Sequence, residues 1–382
     1  MSIDNKKYPT IPLLVPSMPE AENLFKYIKK IDASKQYTNF GPLVNDLEKK
    51  FSEIFKIEKS CLTTVSSATS GLELVLQSLN LPKGASVLVP AFTFVATATS
   101  VIRAGYSPVF SDVDIDSWVL TPEIARQFIQ SKKVDAIIPV ATFGVPLSMK
   151  AWSDFEMETG IPVVIDAAAA FGSQLLNGEK GTVVFSLHAT KCLPAGEGGL
   201  VVSTRPGLAA KVRELSNFGI NLTKGNKYKI GELSGFGTNA KMSEYHAAVC
   251  LASLENWEVL SKKRRETKRE YKNKIDTASS QLVAWQKEDE AGRLMAPTVL
   301  CVKLPNSDLR QKLEKICAKR GVATRRWYQP LLNDMALMQE DFDCIAAPNC
   351  QELSATIIGI PFFVDISEEE MLRVASCFAY LK

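Results

Sequence analysis

The sequence predicts an α/β fold, a mostly parallel sheet flanked by helices, with a smaller C-terminal α+β domain. Three observations predict it. Short apolar strands alternate with helical patterns up to about Glu255, as in sheets whose parallel strands are joined by helical crossovers. Asp166 and Lys191 each follow such a strand, the place where ligands of these sheets gather. Beyond Glu255 the alternation gives way to a charged helix and a few scattered elements, so the expected domains are 1–255 and 256–382. A chain of 382 residues, 46% of them hydrophobic, is well beyond the minimum for a large core.

In chain order, Leu72, Val75, Leu76 and Leu79 recur at i, i+3, i+4 and i+7, so a helix starts near Ala68 with hydroxyl residues at its first turn. The uncharged run from Gly84 to Ile102 is long enough to mimic a membrane span. Pro90 and the Ser/Thr residues within it favour a buried strand, Ser86 to Val89, turning into a helix at Thr93. Ser107 to Asp114 reads as a strand, and Thr121-Pro122-Glu123 opens a helix as cap and first-turn proline. Strands follow at Val134 to Val140 and Ile161 to Ile165, and Thr182 to Ser186 and Gly199 to Val202 flank the turn that carries Lys191. The basic run from Lys262 to Lys274 has Glu266 and Glu270 at four-residue spacing from lysines, the pattern of a solvated helix. A strand near Thr298 to Leu304, a helix from Ser307 and a last helix from Ser367 complete the chain.

Composition narrows the function. Charge is nearly balanced, 45 basic against 42 acidic residues, which gives no bulk drive toward nucleic acid or a membrane surface. Eight cysteines without Cys-x-x-Cys spacing, and a start with no apolar signal core, point to a reducing cytoplasm. Only His188 and His246 are present, so neither a histidine-rich metal site nor a Ser-His-Asp hydrolase is expected.

Lys191 lies in Ser186-Leu-His-Ala-Thr-Lys191, just before Gly196-Glu-Gly-Gly199, and Asp166 ends the apolar run Val163-Val164-Ile165. Pyridoxal 5′-phosphate chemistry needs this pair, an amine to capture the aldehyde and an anion to keep the far-side ring nitrogen protonated. Burial beside a cationic ring disfavours the ammonium form of a lysine, freeing its amine as nucleophile and base. The hydroxyl-rich helix start near Ala68 supplies a third handle, since helix N-termini attract phosphate.

These segments, with Tyr37-Thr-Asn-Phe-Gly-Pro42, Pro90-Ala-Phe-Thr-Phe-Val-Ala-Thr97, Ile165-Asp-Ala-Ala-Ala-Ala-Phe-Gly172, Gly237-Thr-Asn-Ala-Lys-Met242 and Thr324-Arg-Arg-Trp-Tyr-Gln-Pro-Leu331, resemble the DegT/DnrJ/StrS family of nucleotide-sugar aminotransferases almost end to end. The resemblance implies the pyridoxal-phosphate-dependent transferase fold type I. It implies that Lys191 binds the cofactor covalently and that Asp166 holds its ring nitrogen. Ala68, Thr69 and Ser186 would bind its phosphate, Phe94 would stack on the ring, and Asn239 would reach the phosphate from the second subunit of a homodimer with shared sites. His188 would line the sugar side. Phe40, Tyr328 and the pair Arg325-Arg326 are candidate substrate neighbours, one arginine for a diphosphate. The chain departs from the family pattern in four places. Ala169 stands where many members have Gln or His on the ring's phenolic oxygen, Ala68 replaces a glycine, Lys241 replaces an arginine and Trp327 a frequent histidine.

The expected reaction is transfer of an amino group from L-glutamate to a nucleotide-linked keto sugar, with dTDP-4-keto-6-deoxy-D-glucose as favoured acceptor and dTDP-4-amino-4,6-dideoxy-D-glucose as product, for O-antigen or related polysaccharide. Amination of a 3-keto sugar is an alternative. Sugar dehydration ranks lower because that branch replaces the lysine by histidine, whereas Lys191 is present. A non-catalytic binding or regulatory protein on the same fold is the remaining reading.

Overall fold

The computed structural model describes residues 9–225, 227–288, 296–342 and 346–381. Strands β1 (Leu62–Val65), β2 (Ser86–Pro90), β3 (Ser107–Ser111), β4 (Ala136–Ile137), β5 (Val164–Asp166), β6 (Thr182–Ser186) and β7 (Gly199–Ser203) form its centre. β2 runs parallel to β3 and β4, β5 parallel to β6, and β7 antiparallel to both β6 and β1. Parallel bridges Ile137–Val163 and Val140–Asp166 join β4 to β5, giving the order β3-β2-β4-β5-β6-β7-β1 with β7 reversed.

Helices α1 (Ala21–Ser34), α2 (Pro42–Phe55), α3 (Ala68–Ser78), α4 (Val95–Arg103), α5 (Pro122–Ile129), α6 (Met149–Thr159), α7 (Leu208–Ser216) and α8 (Glu244–Glu255) surround this sheet. The two-residue period of a strand explains why both faces need cover. Val183 and Phe185 enter one apolar cluster while Val184 between them enters another, and Leu88 is separated in the same way from Val87 and Val89.

The C-terminal part holds α9 (Trp257–Ser279), β8 (Leu300–Lys303), α10 (Ser307–Lys319), α11 (Ala336–Asp341), α12 (Pro348–Thr356), β9 (Ile357–Ile360) and α13 (Glu368–Phe378), with β8 and β9 antiparallel. A third apolar cluster unites Tyr271, Val302, Leu313, Ile358 and Phe378, and Ile11 belongs to it. Ile11 exchanges backbone hydrogen bonds with Gly321 and Ala323, and the Leu13 carbonyl accepts from Phe362 N–H. A boundary drawn at 255 alone therefore separates Ile11 from the residues it packs with.

Several expected elements end earlier than the pattern suggests, for local reasons. The strand foreseen at Val134 to Val140 is regular only over Ala136–Ile137. Pro139 has no N–H to continue the ladder, although its carbonyl still accepts from Asp166 N–H at 3.0 Å. The strand from Ser107 stops at Ser111, and Asp114 folds back to accept from the Ser117 N–H at 2.7 Å. The apolar run from Gly84 to Ile102 divides into β2 and α4, and no helix of the described residues is long and apolar enough to cross a membrane. The basic run is helical, but not solvated all round. Its buried stripe is Ser261, Arg264, Lys268, Tyr271 and Ile275. Lys268 pairs there with Glu288 at 2.5 Å, and Arg264 donates to the Pro297 carbonyl at 3.2 Å.

Candidate active site

One cavity of about 630 Å³ gathers most of the residues singled out in the sequence. Lys191, Asp166, Ala68, Thr69, Phe94, Ser186, His188, Arg325 and Tyr328 all line it. The volume is in the range of small-molecule and cofactor sites.

The floor comes from the central sheet. Asp166 ends β5 and is buried, with Oδ2 accepting from the Thr97 hydroxyl at 2.8 Å and Oδ1 from Ala168 N–H at 3.1 Å. Burial pushes its carboxyl above the usual range, against the opposing pull of these donors and of the Lys191 charge. Burial likewise pushes the Lys191 amine below the usual lysine range, with the Asp166 charge working the other way. The two groups thus sit where an amine is freed for attack and a carboxylate lacks a full counter-charge. A protonated ring nitrogen would supply that charge.

The turn carrying Lys191 depends on its glycines. Gly196 has φ +84°, and a side chain at Gly199 would meet the Ser67 carbonyl carbon at 2.6 Å and the Ala68 nitrogen at 2.7 Å. Gly199 therefore lets β7 pass directly beneath the start of α3. At that start the Ser67 hydroxyl caps the Ser70 N–H at 3.1 Å. Helix geometry leaves the Ala68 and Thr69 N–H groups pointing outward for an anion, which Ala68 serves as well as the family's glycine. Phe94 offers a ring that is 52% exposed yet lines the cavity, an aromatic face available for stacking.

His188 Nδ1 lies 3.2 Å from the Thr190 backbone nitrogen and 2.9 Å from the Thr190 hydroxyl, and its Nε2 lies 3.6 Å from Glu197 Oε1. Tyr328 stacks on Phe143 at 5.6 Å, and burial drives its hydroxyl well above the usual tyrosine range, so it remains a neutral donor. The two adjacent arginines separate in role. Arg326 is neutralised by Glu314 through two hydrogen bonds of 2.7 and 2.8 Å. Arg325 lies on the Trp327 ring at 4.2 Å, lines the cavity and has no carboxylate partner among the described residues.

Phe40 and Asn239 do not line this cavity within one chain, Asn239 being the residue expected to come from a second subunit. Phe40 packs instead beneath the Arg213 guanidinium at 3.8 Å, in a left-handed backbone (φ 59°) whose carbonyl accepts from Asn45. Phe40 therefore does not line the cavity of its own chain. Asn239 is bridged to Asn217 and accepts from Lys241 Nζ at 2.7 Å, away from the cavity. Sequence reasoning missed Thr97, Glu197, Leu13, Leu14 and Ile360. Thr97 carried a signal, since it stands four residues after Thr93 in a hydroxyl-rich stretch, and Glu197 lies inside the glycine turn. Leu13, Leu14 and Ile360 reach the cavity from the two ends of the chain, which no local pattern could announce.

Residues 19–379 match the model of the DegT/DnrJ/EryC1/StrS aminotransferase family. The chain belongs to this family. Its cofactor is accordingly pyridoxal 5′-phosphate, and the chain is an aminotransferase. It is 28% identical over 375 residues to dTDP-4-amino-4,6-dideoxy-D-glucose transaminase of Shigella dysenteriae, covering 96% of this chain and 98% of that protein. A Bacillus cereus ATCC 10987 protein assigned as a PLP-dependent aminotransferase shares the fold with TM-score 0.87 and 26% identity, covering 97% and 99% of the two chains. DesI, solved in the presence of its TDP-sugar product, gives TM-score 0.84 and 26% identity over 99% of this chain and 93% of its own.

Proposed function

We propose that this family member transfers the amino group of L-glutamate to a nucleotide-linked keto sugar. The favoured acceptor is dTDP-4-keto-6-deoxy-D-glucose, the product dTDP-4-amino-4,6-dideoxy-D-glucose, and the use cell-surface polysaccharide such as O-antigen. The observation that carries the reading is one cavity holding Lys191 and the buried Asp166 on its floor and, on its wall, Arg325, which has no carboxylate partner among the described residues. The Shigella relative and the DesI complex support a dTDP-sugar acceptor by likeness.

In this reading the cofactor supplies an electron sink for the carbon that loses its proton. Lys191 Nζ, whose ammonium form burial disfavours, would anchor the cofactor and then carry a proton between the substrate carbon and the cofactor. Asp166 holds the ring nitrogen through a charge-assisted hydrogen bond. The Ala68 and Thr69 N–H groups and the Ser186 hydroxyl hold the phosphate, and Phe94 covers the ring and excludes water. His188 and Tyr328 face the sugar, and Arg325 takes a carboxylate or diphosphate. Asn239 completes the phosphate site of a partner subunit, and Phe40 remains a candidate substrate neighbour. Seven described cysteines are free, which fits a reducing cytoplasm.

The test is product analysis by mass spectrometry with glutamate and a panel of 3-keto and 4-keto nucleotide sugars, after following the visible absorbance of the bound cofactor as glutamate is added. Amination of the 4-keto dTDP sugar is expected. Amination of only a 3-keto sugar would move the acceptor, loss of a hydroxyl without amine gain would make the chain a dehydratase, and no spectral change with glutamate would reject the transfer altogether.

A further inference from the structure

Helix α4 carries a run of hydroxyl side chains that divide into two kinds. Thr99 and Ser100 donate back to their own helix, to the Ala96 carbonyl at 3.2 Å and the Thr97 carbonyl at 2.8 Å. This is the ordinary fate of a hydroxyl in a helix. Thr97 does otherwise. Its hydroxyl leaves the helix and donates to Asp166 Oδ2 at 2.8 Å, 69 residues further along the chain. Because a hydroxyl has one hydrogen, Thr97 must then act as acceptor toward Thr93, whose oxygen lies 3.2 Å away. The direction of the chain is therefore Thr93 to Thr97 to Asp166. Thr93 and Thr97 are 2% and 1% exposed, so no water competes for either hydroxyl.

We infer that Thr97, backed by Thr93, is a positioning residue that keeps Asp166 ionised and aimed at the cofactor's ring nitrogen. The inference rests on the role given to Asp166 above. A buried carboxylate facing a ring nitrogen shares one proton with it, either as carboxylate and pyridinium or as carboxylic acid and neutral pyridine. Donors on the carboxylate favour the first arrangement. Oδ1 receives the Ala168 N–H and Oδ2 the Thr97 hydroxyl, so removing Thr97 takes away half of that support and lets the carboxylate rotate. Cooperative polarisation along the hydroxyl chain makes the Thr97 bond stronger than an isolated one. Thr93 and Thr97 flank Phe94, so a single stretch of chain both covers the ring and sets its charge.

The experiment reconstitutes the full chain with pyridoxal phosphate labelled with ¹⁵N at the ring nitrogen and reads its protonation by NMR at neutral pH, alongside cofactor Kd. The wild-type protein is expected to give a pyridinium signal. Thr97→Val, nearly the same shape without the hydroxyl, is expected to move the signal toward neutral pyridine and raise Kd on the order of tenfold, the usual scale for one hydrogen bond to a charged group. Thr97→Ser is expected to restore both, and Thr93→Val to move the signal less, in the same direction. An unchanged pyridinium signal and Kd in Thr97→Val overturns the inference, as does Thr97→Ser shifting as far as Thr97→Val, which marks a packing effect. Should Thr97→Val fail to fold by circular dichroism, an unshifted Thr93→Val signal overturns it. A wild-type protein that binds the cofactor without a pyridinium signal overturns the role of Asp166 itself.

Discussion

The floor and the far wall of the cavity are built in opposite ways. The floor residues Asp166, Ser186 and Lys191 follow one another along 26 positions, Asp166 and Ser186 at the ends of adjacent strands β5 and β6 and Lys191 in the turn after β6, and the buried Asp166 accepts from Thr97 of α4 and from the Ala168 N–H just past its own strand. The far wall takes Leu13 from one end of the chain and Arg325, Trp327, Tyr328 and Ile360 from the other. The floor is held by sheet geometry and serves chemistry that any amino acceptor needs. The wall is held by packing between distant segments, and its exposed Arg325 stacks on Trp327 with no carboxylate partner among the described residues. On the proposed function, reaction type and acceptor choice would be carried by separable parts of the molecule.

Breaking the floor has the largest effect. Lys191→Ala is expected to lower amino transfer on the order of a thousandfold or more, since both covalent anchor and proton carrier are lost. Borohydride reduction followed by peptide mapping checks the anchor, because the tag should appear at position 191 in the wild-type protein and vanish in the variant. Next, Gly199→Ala is expected to destabilise the fold by about 1–3 kcal/mol, the usual cost of forcing a methyl into a packed site, because its Cβ would press on the Ser67–Ala68 backbone. Thermal melting of the cofactor-free protein measures it.

Acting on the wall is milder and more selective. Arg325→Ala is expected to raise KM for the anionic substrate roughly tenfold to a hundredfold with little change in kcat, as for loss of a charge-assisted hydrogen bond. Arg326→Ala, already neutralised by Glu314 at the exposed surface, is expected to stay within about twofold. Equal effects from the two arginines would erase the distinction between a cavity cation and a surface pair.

The smallest effect comes from pH. Lys191 has a folded pKa below its unfolded value, so the unfolded chain binds more protons between the two. Stability from this group is therefore lowest below the folded pKa window and rises as pH climbs toward the ordinary lysine value of 10.5. The rate of cofactor capture is expected to rise through a midpoint below 10.5, which stopped-flow absorbance across pH would show, and an unperturbed midpoint would place the amine in water.

How much of this was legible beforehand depends on distance along the chain. The start of α3 at Ala68, the helix opened by Thr121 and the strands around Lys191 follow from hydrophobic period and capping residues within a dozen positions. Lys191 and Asp166 were legible because their chemistry is specific and each sits at a strand end. β9 was not foreseen, since Ile357–Ile360 is a short apolar run whose strand character depends on β8 beside it. Arg325 and Arg326 are indistinguishable as neighbours in sequence, and only the packing of α10 against them gives one of the two to Glu314.

Residue pattern alone thus specified the layered α/β architecture and singled out Lys191, Asp166 and the hydroxyl-rich start of α3 for the proposed site, since each depends on local propensity or on a residue type that a particular chemistry needs. Tertiary packing decided that Thr97 faces Asp166 rather than its own helix, that Phe40 and Asn239 lie outside their own chain's cavity, and that Leu13 meets Ile360 across it. Those outcomes depend on which distant surfaces are pressed together, a choice made by burying the greatest apolar area over the whole chain and recorded in no single segment of it.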